Sequence, residues 1–337
     1  MKNAHINPHV KTSRKKIDVD QLFEDLRKGS VSALSQAITL VESTAGRDSA
    51  FAKAVLQKAL PHSGTSLRLG ITGVPGVGKS TFIETLGKKI VAKNKKVAVL
   101  AIDPSSNISR GSILGDKTRM EELVKSDQAF IRPSPAGTTL GGVARKTREA
   151  VILCEAAGYD FIIIETVGVG QSETAVHSMT DFFLLLKLAG AGDDLQGIKR
   201  GIMEMADGIA INKADGANAT AAKHAKREFK NAIHLMPAKE HGYENKVLTC
   251  SGLQDQGVDE LLDEILAFET FTKENGSFQN KRKKQELYWL HQTIEDLLKA
   301  RFYQNEQVQA EQKDVEQKVL SKEMTPFEAA EFLLNLK

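Results

Sequence analysis

Residues 67–80 read LRLGITGVPGVGKS, and the architecture follows from how this stretch changes character along its length. The first half alternates apolar and β-branched residues at strand length, and the second half matches G-x-x-x-x-G-K-S. The next residues, TFIETLGKKIVA, carry apolar side chains at helical spacing. A strand that turns through glycines into a helix N-terminus lets several backbone N–H groups converge on an anion. The pattern predicts a phosphate loop in which Gly76, Val77 and Gly78 wrap the anion and Lys79 reaches the β- and γ-phosphates of a nucleotide. Ser80 then places its hydroxyl on Mg²⁺, and Thr81 lies beside the α-phosphate. Val74 stands where dimeric partitioning ATPases carry an extra lysine, which disfavours that branch.

Six further strand-like runs flank this one: KVAVLAID, AFIRPS, YDFIIIET, DFFLLLKL, DGIAINK and KVLTCSG. Helical patterns such as GGVARKTREAVILCEAAG separate several of them. Apolar strands alternating with helices predict an α/β fold with a mostly parallel central sheet covered on both faces, the P-loop NTPase arrangement. Residues 1–64 read as an N-terminal helical extension in which Gly29 ends one helix, Ser30 caps the next, and a third stops before Pro61. Residues 65–268 form the nucleotide domain and 269–337 a C-terminal helical arm. In that arm KRKKQELYWLHQTIEDLLKARF is amphipathic, and Thr325, Pro326 and Glu328 form a capping box with proline at the first helical position. The basic run Lys281–Lys284 is read as a solvated helix face.

The base is read from INKAD, residues 211–215, which contains N-K-x-D at the end of a later strand. An aspartate at position 215 accepts hydrogen bonds from the N1–H and the N2 amine of guanine, whereas adenine offers neither donor. Sites built to pair a ligand group reject the analogue lacking it by roughly 10⁴-fold or more. Asn212 supports the purine edge, Lys213 lies over the base, and Ser251, Gly252 and Leu253 of TCSGL present backbone N–H groups to the guanine carbonyl.

Three acids stand where Mg²⁺ and the γ-phosphate are expected: Asp103 at the end of VAVLAID, Asp116 in GSILGDKTRM, and Glu165 at the end of FIIIE. Together with Ser80 these are the candidate metal ligands, and Lys79, Glu165 and Asp116 are assigned to the chemistry. Gly168, three residues after Glu165, is placed to sense the γ-phosphate through its N–H. Arg110, Arg119 and Arg145 are candidate arginine fingers.

The chain has 337 residues, with Lys+Arg 46 against Asp+Glu 43, a formal net charge of +3 that lacks the basic excess of a nucleic-acid binder. The most apolar run, FFLLLKLAGAG, is interrupted by Lys187 and too short to span a bilayer. The leader MKNAHINPHVKTSRKK has no apolar core, and the two cysteines, Cys154 and Cys250, read as reduced core thiols of a cytoplasmic protein.

The set GVPGVGKS, AIDPSSNISRGSILGDKTRM, RPSPAGTTLGGVARKTREA, ETVGVGQSE, AGAGDDLQGIKRGIMEMAD and NKAD resembles the MeaB/ArgK family of GTPases, nearly end to end. The family has a glutamate at its third motif, so the resemblance places Glu165 in the magnesium and switch region and Asp103 and Asp116 on second-motif acids. It matches residues 190–201 to a mobile segment that signals to a client. It implies a GTP-hydrolysing, Mg²⁺-dependent chaperone that gates adenosylcobalamin loading and protects or reactivates methylmalonyl-CoA mutase or a related acyl-CoA mutase. It further implies a homodimer held through the C-terminal helices and no cobalamin bound by this chain itself. Four rivals are weighed: a metallochaperone GTPase for another metalloenzyme, an ATP-using kinase or transport ATPase that Asp215 speaks against, a signal-recognition-type GTPase, and a purely structural binding module that the Lys79–Ser80 pair disfavours.

Overall fold

The protein is described from a computed structural model that covers residues 17–102, 120–133, 140–166, 172–189 and 200–336. Seven parallel strands form one sheet: β1 (Leu67–Gly73), β2 (Val97–Ile102), β3 (Ala129–Arg132), β4 (Phe161–Thr166), β5 (Phe182–Leu188), β6 (Gly208–Asn212) and β7 (Lys246–Thr249). Their spatial order is β3-β2-β4-β1-β5-β6-β7, which puts β1 at the centre with β4 and β5 on either side. All seven runs expected from sequence are present.

The strands are apolar on both faces because each face is covered. Phe161 and Ile163 of β4 pack with α4 (Lys79–Ala92) through Phe82, Ile83 and Leu86, and with a later helix (Val258–Glu274) through Leu262 and Phe268. The alternate residues Ile162 and Ile164 face the other layer. That layer consists of α1 (Val19–Arg27), α2 (Val31–Glu42), α3 (Gly46–Ala59), α5 (Leu140–Ala156) and α6 (Ser172–His177). The N-terminal helices thus share a core with the sheet through Leu26, Leu34, Ile38 and Val55. Ser30 caps α2 by accepting from the Ala33 N–H at 3.2 Å, as its position after Gly29 suggested. Beyond β5, α7 (Arg200–Met205) and α8 (Ala219–His234) cover β6.

After α9 (Val258–Glu274) the chain turns at Gly276 into α10 (Ser277–Gln304), then α11 (Glu306–Leu320) and α12 (Pro326–Leu334), whose capping box is formed as expected. Phe278, Arg282, Gln285 and Trp289 of α10 are buried at spacings of four, three and four, one stripe down a helix. The basic run is therefore not a solvated face. Only Lys283 and Lys284 are exposed, while Arg282 is buried on Asp181 and Lys281 donates to the Asp181 carbonyl at 2.6 Å and to Asp207 at 3.2 Å. Two acids at the amino-terminal edge of the sheet draw half of the run inward. Burial alone would raise the pKa of Asp207, but Lys281, His241 and Lys239 outweigh it and hold the carboxyl well below its usual range.

His177, at the end of α6, sets its ring edge-on to Phe183 at 5.5 Å. Burial, helped by Lys281, pushes its pKa down to about 4. The unfolded chain takes up that proton near the ordinary value while the folded one does not, so stability is present above pH ~6.5 and is lost as pH falls towards 4, by up to about 3 kcal/mol. Thermal midpoints measured between pH 7 and 4 are expected to decline more steeply for the wild type than for His177→Gln. Parallel slopes would refute the assignment.

Candidate nucleotide site

The described site residues converge at the carboxyl edge of the sheet, where β1, β4, β6 and β7 end. The phosphate loop leaves β1 and enters α4 through Gly78, whose φ is +92°. A Cβ on Gly78 would stand 2.9 Å from Asn212 Nδ2, so glycine is required both for the turn and for the close approach. Lys79 is 8 % exposed and its ammonium donates to the Gly73 carbonyl at 2.8 Å and the Val74 carbonyl at 3.4 Å. Burial lowers its pKa, and the carboxylates of Glu165 and Glu173 work against that shift.

Glu165 lies beside the loop because β4 is paired with β1, and the Thr166 hydroxyl donates to Thr72 Oγ1 at 2.9 Å across the two strand ends. The Ser80 hydroxyl donates to Glu165 Oε1 at 3.4 Å. A hydroxyl and a carboxylate held together at the head of α4 are hard oxygen donors, the set that Mg²⁺ takes. The two expected metal residues within the described regions are thus adjacent. Asp103, Asp116, Gly168, Arg110, Arg119 and residues 190–199 lie outside the described residues. Arg145 sits on an exposed position of α5.

The half of the site expected to read the base is built from the ends of β6 and β7. Asn212 is buried, donating from Nδ2 to the Val77 carbonyl at 2.9 Å and accepting at Oδ1 from the Gly252 N–H at 3.1 Å. Lys213 takes a left-handed φ of +56° and donates to the Gly76 carbonyl at 2.9 Å, lying across the phosphate loop. Asp215 accepts from the Ser251 hydroxyl, whose oxygen accepts in turn from the Gln254 N–H at 3.1 Å. Gly252 packs on α4 so closely that a Cβ would come 2.8 Å from Phe82 Cα, and its carbonyl accepts from Thr85 Oγ1 at 2.6 Å.

The sequence expectation for TCSGL needs correcting. The Ser251 N–H donates to Gln256 at 2.8 Å and the Gly252 N–H is taken by Asn212, so neither is offered to a base. Ser251 acts instead through its hydroxyl, orienting Asp215. Leu253, 77 % exposed, is left as the backbone donor of the three. Two features escaped the sequence reading: the Thr72–Thr166 tie, and Glu173, an acid in the quoted ETVGVGQSE that the fold buries to 4 % exposure. An acid following a strand and a glycine-rich turn was the available signal for Glu173.

A family model for methylmalonyl-CoA mutase-associated GTPase MeaB matches residues 34–307. Over 281 residues the chain is 48 % identical to GTPase ArgK of Escherichia coli (strain K12), covering 83 % of this chain and 85 % of that protein. Over 326 residues it is 43 % identical to the mitochondrial methylmalonic aciduria type A homolog of Mus musculus, covering 94 % and 79 %. A crystal structure of an LAO/AO transport system kinase superposes with a TM-score of 0.76 at 37 % identity, over 94 % of this chain and 98 % of that one. The fold is that of a P-loop GTPase, with the N-K-x-D segment stapled to the phosphate loop through Asn212, and the chain belongs to the MeaB family of methylmalonyl-CoA mutase-associated GTPases.

Proposed function

We propose that this GTPase is the chaperone of an adenosylcobalamin-dependent acyl-CoA mutase, methylmalonyl-CoA mutase or a relative. In this reading GTP binding and hydrolysis gate cofactor loading and the protection or reactivation of the client. The observation that supports it is Asn212, which joins the phosphate loop at Val77 to the base segment at Gly252, so that the two ends of the nucleotide are bound by one connected element. Such an element can report the nucleotide state to a partner.

In the reaction, a water attacks the γ-phosphate in line while Lys79 leaves the Gly73 carbonyl to engage the β- and γ-phosphates. Ser80 and Glu165, with Asp103 and Asp116 assigned from sequence, would hold Mg²⁺, which would supply charge neutralisation at the phosphates. The C-terminal arm, residues 269–337, serves as the homodimer contact. Leu290, Ile294, Leu297 and Leu298 recur at helical spacing on α10 and are all exposed, a stripe suited to a second copy. We place the protein in the cytoplasm, with neither nucleic acid nor membrane as partner. Among the described residues no helix is long and apolar enough to cross a membrane.

The metallochaperone alternative is disfavoured by the two thiols. Cys154 and Cys250 are buried in different core clusters, and burial raises both thiol pKa values, that of Cys250 to about 12.

The test is the GTP turnover of the purified protein alone and with a purified adenosylcobalamin-dependent acyl-CoA mutase from the same organism. The mutase is expected to raise turnover at least about fivefold, a coupling of about 1 kcal/mol, and the rise should vanish in Lys79→Ala. Turnover indifferent to the mutase removes the client, and equal use of ATP removes the guanine assignment.

A further inference from the structure

Glu173 is the second residue of α6, the helix that packs against β1 and β4. Its position is fixed at close quarters: a Cβ on Gly70 of β1 would meet Val176 Cγ1 at 3.0 Å and Thr180 Oγ1 at 3.1 Å. Glu173 is 4 % exposed, and its Oε2 has no hydrogen-bond partner among the described residues. It is close enough to the Lys79 ammonium to act on it electrostatically, and that ammonium marks where the β- and γ-phosphates bind.

A buried carboxylate oxygen without a donor is costly and calls for a ligand that supplies one. A helix cap would have satisfied it through a nearby backbone N–H, yet among the described residues Oε2 makes no such bond. The Lys79 ammonium donates here to the Gly73 and Val74 carbonyls, and with GTP bound it turns to the β- and γ-phosphates. The donor that must come to the γ-phosphate in any hydrolysis is the attacking water.

We propose that Glu173 is the general base of GTP hydrolysis, its Oε2 accepting a hydrogen bond from the water that attacks the γ-phosphate. The inference rests on the GTPase reading of the site. As the water oxygen bonds to the γ-phosphorus, the bond from phosphorus to the β–γ bridging oxygen breaks and its electron pair stays with GDP. The water's proton passes to Glu173 Oε2 and from there to the released phosphate or solvent.

The experiment is single-turnover GTP hydrolysis and GTP affinity of the full chain carrying Glu173→Gln, an isosteric change that removes the base and one negative charge beside the triphosphate. Hydrolysis should fall on the order of 100-fold while GTP affinity stays within about threefold of wild type or tightens. A wild-type rate in the variant overturns the proposal. So does a parallel loss of rate and affinity, which would make Glu173 a support for Lys79. If Glu173→Gln does not fold, Glu173→Asp, which withdraws the acceptor by one methylene, should lose about tenfold in rate at unchanged affinity, and a wild-type rate there also overturns it. A wild type that binds GTP but never hydrolyses it overturns the GTPase reading itself, and is told apart because no substitution then changes a rate.

Discussion

Asp215→Asn is expected to weaken GTP by roughly 10⁴-fold, about 5 kcal/mol, while leaving the thermal midpoint nearly unchanged. The carboxylate is held in place by the Ser251 hydroxyl, itself fixed by the Gln254 N–H, so its remaining acceptor capacity has a fixed direction. Asparagine turns one acceptor into a donor, which then faces the N1–H or the N2 amine of guanine with like polarity. Xanthine has a carbonyl in place of that amine, so Asp215→Asn should gain affinity for XTP as it loses GTP. Competition titrations with GTP, XTP and ATP on wild type and variant check both halves. A GTP affinity retained within about fivefold would remove Asp215 from the base site.

Arg282→Leu should lower stability by about 3–5 kcal/mol, a fall in the thermal midpoint on the order of 10 °C. The guanidinium donates from Nε and Nη2 to the two carboxylate oxygens of Asp181 at 2.8 and 2.7 Å, and from Nη1 and Nη2 to the carbonyls of Gly64 and Ser66 at 2.6 Å. Asp181 is 1 % exposed and would keep only the Arg68 N–H at 2.8 Å. Glu155 fares better, retaining Arg68, the Ser66 hydroxyl and the Gly64 N–H. The loss is therefore chiefly that of an orphaned Asp181, and the double variant Asp181→Asn/Arg282→Leu should recover part of it. Calorimetric scans of the wild type and the two variants decide the matter. A single-variant shift below about 2 °C would mean that the buried pair contributes nothing net.

Residues 67–80 and 211–215 were legible because their meaning is local. A β-branched run, a glycine turn and a helix start lie within a few positions, and each forces its neighbour's conformation. The seven strands were legible for the same reason, since a sheet buried on both faces leaves continuous apolar runs. Arg282 was not, because nothing within the run Lys281–Lys284 distinguishes it from its neighbours. What makes it buried is Asp181 and the Gly64–Ser66 backbone, more than a hundred residues earlier in sequence. Ser251 and Gly252 were misread by a similar route: TCSGL suggests a backbone turn with free amides, but not that Asn212 and Gln256 already occupy two of them. Glu173 stood in a quoted motif, and only the fold shows that it is buried with one oxygen unpartnered among the described residues.

The Asn212 side chain holds Val77 with its amide nitrogen and Gly252 with its amide oxygen. A ligand offering only a base, or only phosphates, meets one arm of that bracket and leaves the other to relax. A whole nucleotide loads both arms together, which makes the residue a coincidence detector: guanosine and inorganic phosphates supplied separately should hold the site less firmly than the same groups joined in one molecule.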